Sequence, residues 1–367
     1  AGFDADPDPE KWLGPLMADP DQARVRVYAT QSTHKTLTSL RQGSMIHSYD
    51  QDFASKAAES FQHAYLTHTS SSPNYPILAS LDMGRRQVEL EGYELVQHAV
   101  ELALVLRERI NQDPRLMRWF RVLTPRDLVP EEHRTSGFEE YRLAHEVQWE
   151  RMDAAWEDDE FCLDPTRITV FTGASGIGGD RFKSLLMDEF DIQVNKTSPN
   201  TALFMTHIGT TRGAVAHLID VLSSLADRLA EEASAAGPHQ VAQRARAVES
   251  LSGELTPLPD FSGFHPRFRS STAPGREGDI RSAFFLAVDD KKVQYMLMDG
   301  SIQAALEHGP VVAASFVTPY PPGFPVLVPG QLVSAEILAF LKGVGLREIH
   351  GYDAELGLRV FTPEVLQ

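Results

Sequence analysis

The segment Val27–Lys35, which reads VYATQSTHK, decides how the rest of the chain is interpreted. Its β-prone start predicts a strand that ends in a short polar turn. The turn places Lys35 directly before Thr36–Met45, a segment compatible with a helix. A lysine acts as a covalent catalyst when it is held rigidly and partly removed from water, so that its amine becomes neutral. The segment therefore predicts a candidate catalytic lysine.

Two neighbours of Lys35 bear on this prediction. Ser32 offers a hydroxyl and His34 offers a ring N–H, and such groups can hold an anion such as a phosphate. The alternative is that Lys35 is an exposed lysine that follows an edge strand. Because S-x-H-K is only four residues long, these residues alone leave both interpretations open.

Four segments extend the pattern in a fixed order. They are Thr30–Lys35 (TQSTHK), Leu40–His47 (LRQGSMIH), His68–Tyr75 (HTSSSPNY) and Pro319–Gly323 (PYPPG). Together they resemble the bacterial ornithine/lysine/arginine decarboxylase family, and the resemblance runs over nearly the whole chain. Several segments in one order are much harder to obtain by chance than one short motif.

The resemblance implies an α/β chain that is the C-terminal part of an aspartate-aminotransferase-type pyridoxal-phosphate fold. Residues 1–89 are then expected to be the C-terminal part of the pyridoxal-phosphate-binding major domain. Residues 90–236 are expected to form a small α/β domain, and residues 237–367 a C-terminal α+β domain. A length of 367 residues is sufficient for two or three domains.

The resemblance also implies the chemistry of the site. Lys35 would carry pyridoxal 5'-phosphate as a Schiff base, and Ser32 and His34 would contact its phosphate. Ser70 would touch the cofactor phosphate of a partner subunit, although the hydroxyls of this turn could also cap a helix that begins near Pro73. The implied reaction is α-decarboxylation of lysine, ornithine or arginine to the corresponding amine and CO2.

Asn195 bears on the choice of substrate. It follows the predicted strand Ile192–Val194, where the lysine and ornithine enzymes of the family have a glutamate. A neutral amide can accept a hydrogen bond from the distal ammonium of a substrate but brings no charge. Asn195 is thus a candidate substrate-binding residue that leaves arginine or an atypical substrate open.

The family places several cofactor-binding groups before the point at which this chain begins. The expectation is therefore that the missing N-terminal half of the cofactor domain belongs to the same or a separate chain. The family further implies a homodimer or higher oligomer with shared active sites. A catalytically altered or inactive paralogue with a structural or regulatory role is the main alternative.

A second, distant alternative is a nicotinamide-dependent oxidoreductase. The predicted strand Arg167–Phe171, the glycine-rich Thr172–Gly179 and the predicted helix Phe182–Phe190 have the order of a dinucleotide-binding cradle. However, the glycine spacing is one residue short of the short-chain dehydrogenase pattern. Asn195 and Lys196 stand where an acid would bind the ribose, and no Tyr-x-x-x-Lys pair follows.

Composition narrows the class of protein. Lys and Arg number 34 against 51 Asp and Glu, a formal charge of -17, which argues against a nucleic-acid partner. The single cysteine, Cys162, excludes an intrachain disulfide and a cysteine metal cluster, and no metal site is expected. No apolar run is long enough to span a bilayer, and the acidic start is unlike a signal peptide, so the expected location is cytoplasmic.

Overall fold

A computed structural model describes residues 26–141, 149–253, 259–269, 278–320, 323, 325–343 and 348–366. The described residues mix helices and strands, which confirms the α/β class. They form two compact units. The first reaches Asn195 and also contains Asn200–Val248, and the second contains Lys196–Pro199 and the residues from Glu249 onwards. The three domains expected at 1–89, 90–236 and 237–367 stay a prediction.

Helices and short strands alternate along the chain. The helices are α1 (Thr33–Thr36), α2 (Ala58–His68), α3 (Tyr75–Gln112), α4 (Pro114–Met117), α5 (Pro125–Leu128), α6 (Trp149–Asp158), α7 (Gly179–Phe190), α8 (Arg212–Ala235), α9 (Pro238–Ser252), α10 (Ile280–Leu286), α11 (Gly300–His308), α12 (Ala335–Gly343) and α13 (Pro363–Leu366). The strands are β1 (Arg26–Gln31), β2 (Met45–Asp50), β3 (Arg121–Val122), β4 (Arg167–Phe171), β5 (Lys196–Thr197), β6 (Thr201–Met205), β7 (Val293–Met296), β8 (Val311–Val312), β9 (Thr318–Tyr320), β10 (Leu332–Val333), β11 (Glu348–His350), β12 (Tyr352–Asp353) and β13 (Gly357–Phe361).

The strand that leads to Lys35 belongs to a hairpin. β1 and β2 pair antiparallel along their whole length, from Arg26 opposite Asp50 to Gln31 opposite Met45. The helix expected over Thr36–Met45 is therefore wrong: only α1 is helical, and Met45 opens the second strand. Local helical compatibility is a weak preference, and pairing with β1 supplies β2 with the backbone hydrogen bonds that a helix would have made.

Helix α3 is the longest element of the first unit. It begins at Tyr75, close to the helix start expected near Pro73, and the side chain of Asn74 caps it by accepting a hydrogen bond from the Ile77 amide. The cap is thus Asn74 rather than the hydroxyl residues before it. The C-terminal half of α3 is buried through Ala103, Leu106 and Ile110. This half covers the sheet of the first unit.

In that sheet, β4 lies between β3 and β6 and pairs antiparallel with both. Inward side chains such as Ile168 and Val170 are fully buried and alternate with half-buried ones, as in a sheet with one face packed on the core. Helices α3, α7 and α8 contribute the remaining core, in which the Phe120 and Phe182 rings lie 5.5 Å apart. Strand β4 begins at Arg167 and ends at the glycine-rich segment.

A buried cation ties β3 to β4. The Arg107 guanidinium donates hydrogen bonds to the carbonyl oxygens of Leu123 (3.4 Å), Pro165 (3.3 Å) and Arg167 (2.6 Å). Its burial lowers the pKa of Arg107 to about 10. The three carbonyls lie at the ends of two strands, and the planar fork of an arginine reaches all of them.

Replacing Arg107 by lysine should lower the free energy of unfolding of this unit by about 1–3 kcal/mol, because the N–H groups of an ammonium diverge from one nitrogen and cannot reproduce the fork that reaches these carbonyls. Urea denaturation followed by tryptophan fluorescence measures the change. Arg109→Lys is the matched control, since Arg109 is exposed two residues further along the same helix. Equal stability of the two variants would contradict the assigned role.

The second unit is built from short antiparallel pairings. β13 pairs with β7 and β12, β8 pairs with β10, and β9 pairs with β11. The segment before PYPPG contributes the short strand β8. The prolines at 321 and 322 of the PYPPG segment lie outside the described residues, whereas β9 includes Pro319 and Tyr320.

Candidate active site

The turn formed by α1 carries three of the predicted site residues, Ser32, His34 and Lys35. Lys35 is exposed and follows β1 of a two-stranded sheet, which agrees with the alternative of an exposed lysine after an edge strand and not with a lysine partly removed from water. Its backbone amide donates to the Ser32 carbonyl at 3.1 Å. Ser32 precedes the helix, but its hydroxyl makes no capping hydrogen bond. Among the described residues, the Lys35 ammonium has no carboxylate within ion-pairing distance. The amine and the hydroxyl are both available to a ligand.

The His34 ring is held in one orientation. Its Nδ1 lies 2.9 Å from the carbonyl oxygen of Gly43 in the loop that leads to β2. A carbonyl oxygen can only accept, so Nδ1 carries the proton of this hydrogen bond. The other ring nitrogen, Nε2, is thus the one left for a ligand. The sequence predicted that His34 offers a ring N–H, but not that Nδ1 is the nitrogen that makes a hydrogen bond within the protein.

The loop after α1, residues 37–44, is fastened to helix α3. The Leu40 amide donates to the Ser80 hydroxyl at 2.9 Å, and that hydroxyl donates to the Ile77 carbonyl at 2.7 Å. At Gly84 the loop approaches so closely that a Cβ atom would lie 2.0 Å from the Thr38 carbonyl oxygen. Only glycine permits this approach. Gly84 was not predicted from the sequence, although an isolated glycine inside a helix is a signal for such a close approach.

Ser70 and Asn195 do not join the lysine turn in this structure. Ser70 lies in the exposed connection between α2 and α3, where its hydroxyl accepts from the Ser72 amide at 3.1 Å. Asn195 is exposed, and its backbone N–H donates to the Leu203 carbonyl at 3.0 Å. The strand expected at Ile192–Val194 is wrong, since these residues connect α7 to β5 without strand geometry. The roles of both residues stay predictions.

The glycine-rich segment after β4 is used for packing. The Ser175 carbonyl accepts a hydrogen bond from the Arg244 guanidinium at 3.1 Å. Gly176 has φ +74° and packs beside Ala247 and Val248 of α9. In dinucleotide-binding folds the strand before the cradle lies in a parallel sheet, whereas β4 is antiparallel to both of its described neighbours, β3 and β6. This arrangement argues against the nicotinamide alternative.

The part of the chain that the structure describes contains neither a candidate metal site nor a candidate membrane span. These residues contain no group of three or more His, Cys, Asp or Glu side chains that could bind a metal ion. Within the same residues, every helix is either too short or too polar to cross a bilayer.

Comparison with known proteins identifies the family. The family model described as "Orn/Lys/Arg decarboxylase, major domain" matches residues 10–214, more than half of the chain. The chain belongs to the Orn/Lys/Arg decarboxylase family. The match includes the lysine turn, the loop that follows it and the whole of α3, and it confirms the resemblance drawn from the TQSTHK segment.

Individual members of the Orn/Lys/Arg decarboxylase family are similar at low identity. The constitutive lysine decarboxylase of Escherichia coli K12 is 27% identical over 86% of this chain and 45% of its own length. Lysine decarboxylase LdcA of Pseudomonas aeruginosa is 28% identical over 90% of this chain and 46% of its own. The chain therefore spans about half the length of these relatives.

Solved structures of the Orn/Lys/Arg decarboxylase family share the fold. The lysine decarboxylase LdcF of Francisella novicida superposes with a TM-score of 0.57 and 24% identity, covering 92% of this chain and 49% of that chain. The constitutive lysine decarboxylase of E. coli gives a TM-score of 0.54 at 22% identity. At these identities the likeness concerns the fold.

Proposed function

We propose that this chain is part of a pyridoxal-phosphate-dependent decarboxylase that converts lysine, ornithine or arginine to the corresponding amine and CO2. The observation that carries the proposal is the lysine turn: a lysine on a turn whose following loop is fastened to α3, in a chain of the Orn/Lys/Arg decarboxylase family. Relatives of this chain are named as lysine, arginine and ornithine decarboxylases. The proposal extends to the fold, which we take to be the C-terminal part of an aspartate-aminotransferase-type fold.

The donor set of the turn fits pyridoxal 5'-phosphate. Lys35 Nζ is exposed and can form a covalent bond with the aldehyde carbon, and the Ser32 hydroxyl and His34 Nε2 stand on the same turn to meet the phosphate. A hydroxyl can donate to a phosphate oxygen, and His34 Nε2 can do so when the ring is an imidazolium, in which both nitrogens are donors. When bound, the cofactor supplies an electron sink for the pair left by departing CO2.

The chain's own contribution is rigidity and proton handling. The Gly43 carbonyl fixes the His34 ring through Nδ1, and contacts of Ser80 and Gly84 fix the following loop. A lysine whose backbone is held by such contacts presents its amine at one place, which is what precise orientation of a reacting carbon requires. The same amine, once released, can hold or return a proton close to the substrate Cα.

Ser70 and Asn195 enter as proposals about the assembled enzyme. We place Ser70 against the cofactor phosphate of a second subunit in a homodimer or larger assembly. Large apolar side chains exposed on the N-terminal half of α3, such as Tyr75 and Met83, support such an interface. We place Asn195 against the distal nitrogen of the substrate, where its amide oxygen can accept a hydrogen bond.

The test is substrate-dependent CO2 release by the complete enzyme, with any partner chain retained. Lysine, ornithine, arginine and several non-basic amino acids form the panel, supplied with pyridoxal 5'-phosphate. We expect release from at least one basic amino acid, together with a borohydride-stable cofactor adduct that mass spectrometry places on Lys35. Release only from non-basic amino acids would overturn the substrate class. An enzyme without adduct or release would instead be an inactive relative.

A further inference from the structure

Thr36, the residue directly after Lys35, is held by two residues from the distant sheet of the same unit. Arg167 Nη2 donates to the Thr36 hydroxyl at 3.1 Å, and the Ile208 amide donates to the Thr36 carbonyl at 3.2 Å. Arg167 is the first residue of β4, and Ile208 follows β6, the antiparallel neighbour of β4. The lysine turn is thus attached to the end of this sheet where β4 begins and β6 ends, through the side chain and the backbone of Thr36.

The Arg167 guanidinium is itself oriented. Its Nη1 donates to the Thr166 hydroxyl at 3.2 Å, and its Nε lies 3.8 Å from an Asp164 carboxylate oxygen. That hydroxyl in turn donates to the Asp164 carboxylate at 2.6 Å. The carbonyl of Arg167 accepts the 2.6 Å hydrogen bond from buried Arg107. Both the backbone and the side chain of Arg167 are fixed, so the donor aimed at Thr36 has little freedom.

We propose that Arg167 is a positioning residue for Lys35 and acts through the Thr36 hydroxyl. The proposal rests on the proposed function, in which Lys35 Nζ holds the cofactor. Thr36 shares a peptide bond with Lys35, so fixing its side chain and carbonyl limits the backbone angles that aim the lysine. The contacts from the ends of β4 and β6 thereby set the direction of the amine, and a misplacement of about 1 Å can cost about a hundredfold in rate.

A double-mutant cycle in the complete enzyme tests this coupling. Thr36→Val removes the acceptor, Arg167→Met removes the donor while keeping an unbranched side chain, and the double variant removes both. Because one hydrogen bond is at stake, we expect each single variant to lower kcat about tenfold with KM changed less than about twofold. The double variant should be no worse than the single variants.

Three further measurements separate positioning from a general structural role. Thr36→Ser, which keeps the hydroxyl, should restore kcat to near the parent value. The rate at which pyridoxal 5'-phosphate attaches to Lys35 of the apoenzyme, trapped with borohydride, should fall in the Val and Met variants in parallel with kcat. Arg228→Met is the control, since Arg228 pairs with Glu189 at 2.8 Å on the surface of the same unit and should leave both rates unchanged.

Different experimental results would contradict the positioning role of Arg167 and the attachment role of Lys35. Additive losses in the double variant, or a Thr36→Ser variant as slow as Thr36→Val, would overturn the positioning role while leaving Lys35 as the attachment site. A parent enzyme that forms no borohydride adduct at Lys35 would overturn the proposed function and this inference with it. A melting temperature lowered in the variants without loss of kcat or attachment rate would show that Arg167 only stabilises the fold.

Discussion

Replacing Lys35 by alanine should abolish amine release from lysine, ornithine and arginine alike, by about a thousandfold or more, because no other group on the turn can bond covalently to the cofactor aldehyde. Ser32 and His34 remain in the variant, so the cofactor phosphate keeps its proposed partners. Weak, non-covalent retention of pyridoxal 5'-phosphate is therefore compatible with complete loss of turnover. Amine release and the mass of the borohydride-treated protein are the two measurements.

The matched control for this variant is Lys56→Ala. Lys56 is an exposed lysine of the same unit whose ammonium pairs with Asp52 at 2.9 Å, away from the lysine turn. It should keep full activity and the borohydride adduct. A Lys35→Ala enzyme that retained more than about a tenth of the parental rate would show that covalent attachment at this residue is not required. Lys35→Arg keeps the positive charge and should be as inactive as the alanine variant.

The secondary structure around Lys35 was predicted only in part. The strand before it was predicted correctly from its β-prone residues, and the polar turn lies where the pattern placed it. The following helix was wrong because β2 obtains its hydrogen bonds from β1, which is a tertiary choice. The helix expected near Pro73 is confirmed as α3, since a polar cap followed by a proline is a local signal for a helix start.

The contacts that hold the lysine turn could not be predicted in the same way. Arg167 and Thr36 are 131 residues apart, and nothing in a single sequence pairs them. The glycine-rich segment after β4 suggested a phosphate cradle, whereas the structure packs it as a tight turn beside α9. The same residue types suit both arrangements. Sequence motifs selected Ser32, His34 and Lys35 as candidate site residues, and their roles stay predictions. The structure adds which residues keep them in place.

The contact between Gly84 of α3 and the loop at residues 37–44 leaves no room for a side chain at position 84. Gly84→Ala should destabilise the first unit by about 1–3 kcal/mol, because the new Cβ would lie 2.0 Å from the Thr38 carbonyl oxygen and the contacted atom belongs to the backbone. Helix propensity alone predicts the opposite sign, a gain of about 1 kcal/mol for alanine over glycine. The direction of the change in unfolding free energy therefore distinguishes close packing from propensity.

The Gly84 variant should also affect the site, since relief of the clash moves the loop at residues 37–44, which carries the Gly43 carbonyl that holds His34. We expect a loss of decarboxylase rate of about tenfold or more at temperatures where the variant is still folded. Gly213→Ala is the control: it lies in helix α8, and its Cβ would meet only the Thr211 hydroxyl at 3.8 Å. If both alanine variants are equally stable and active, α3 does not hold the lysine loop in place.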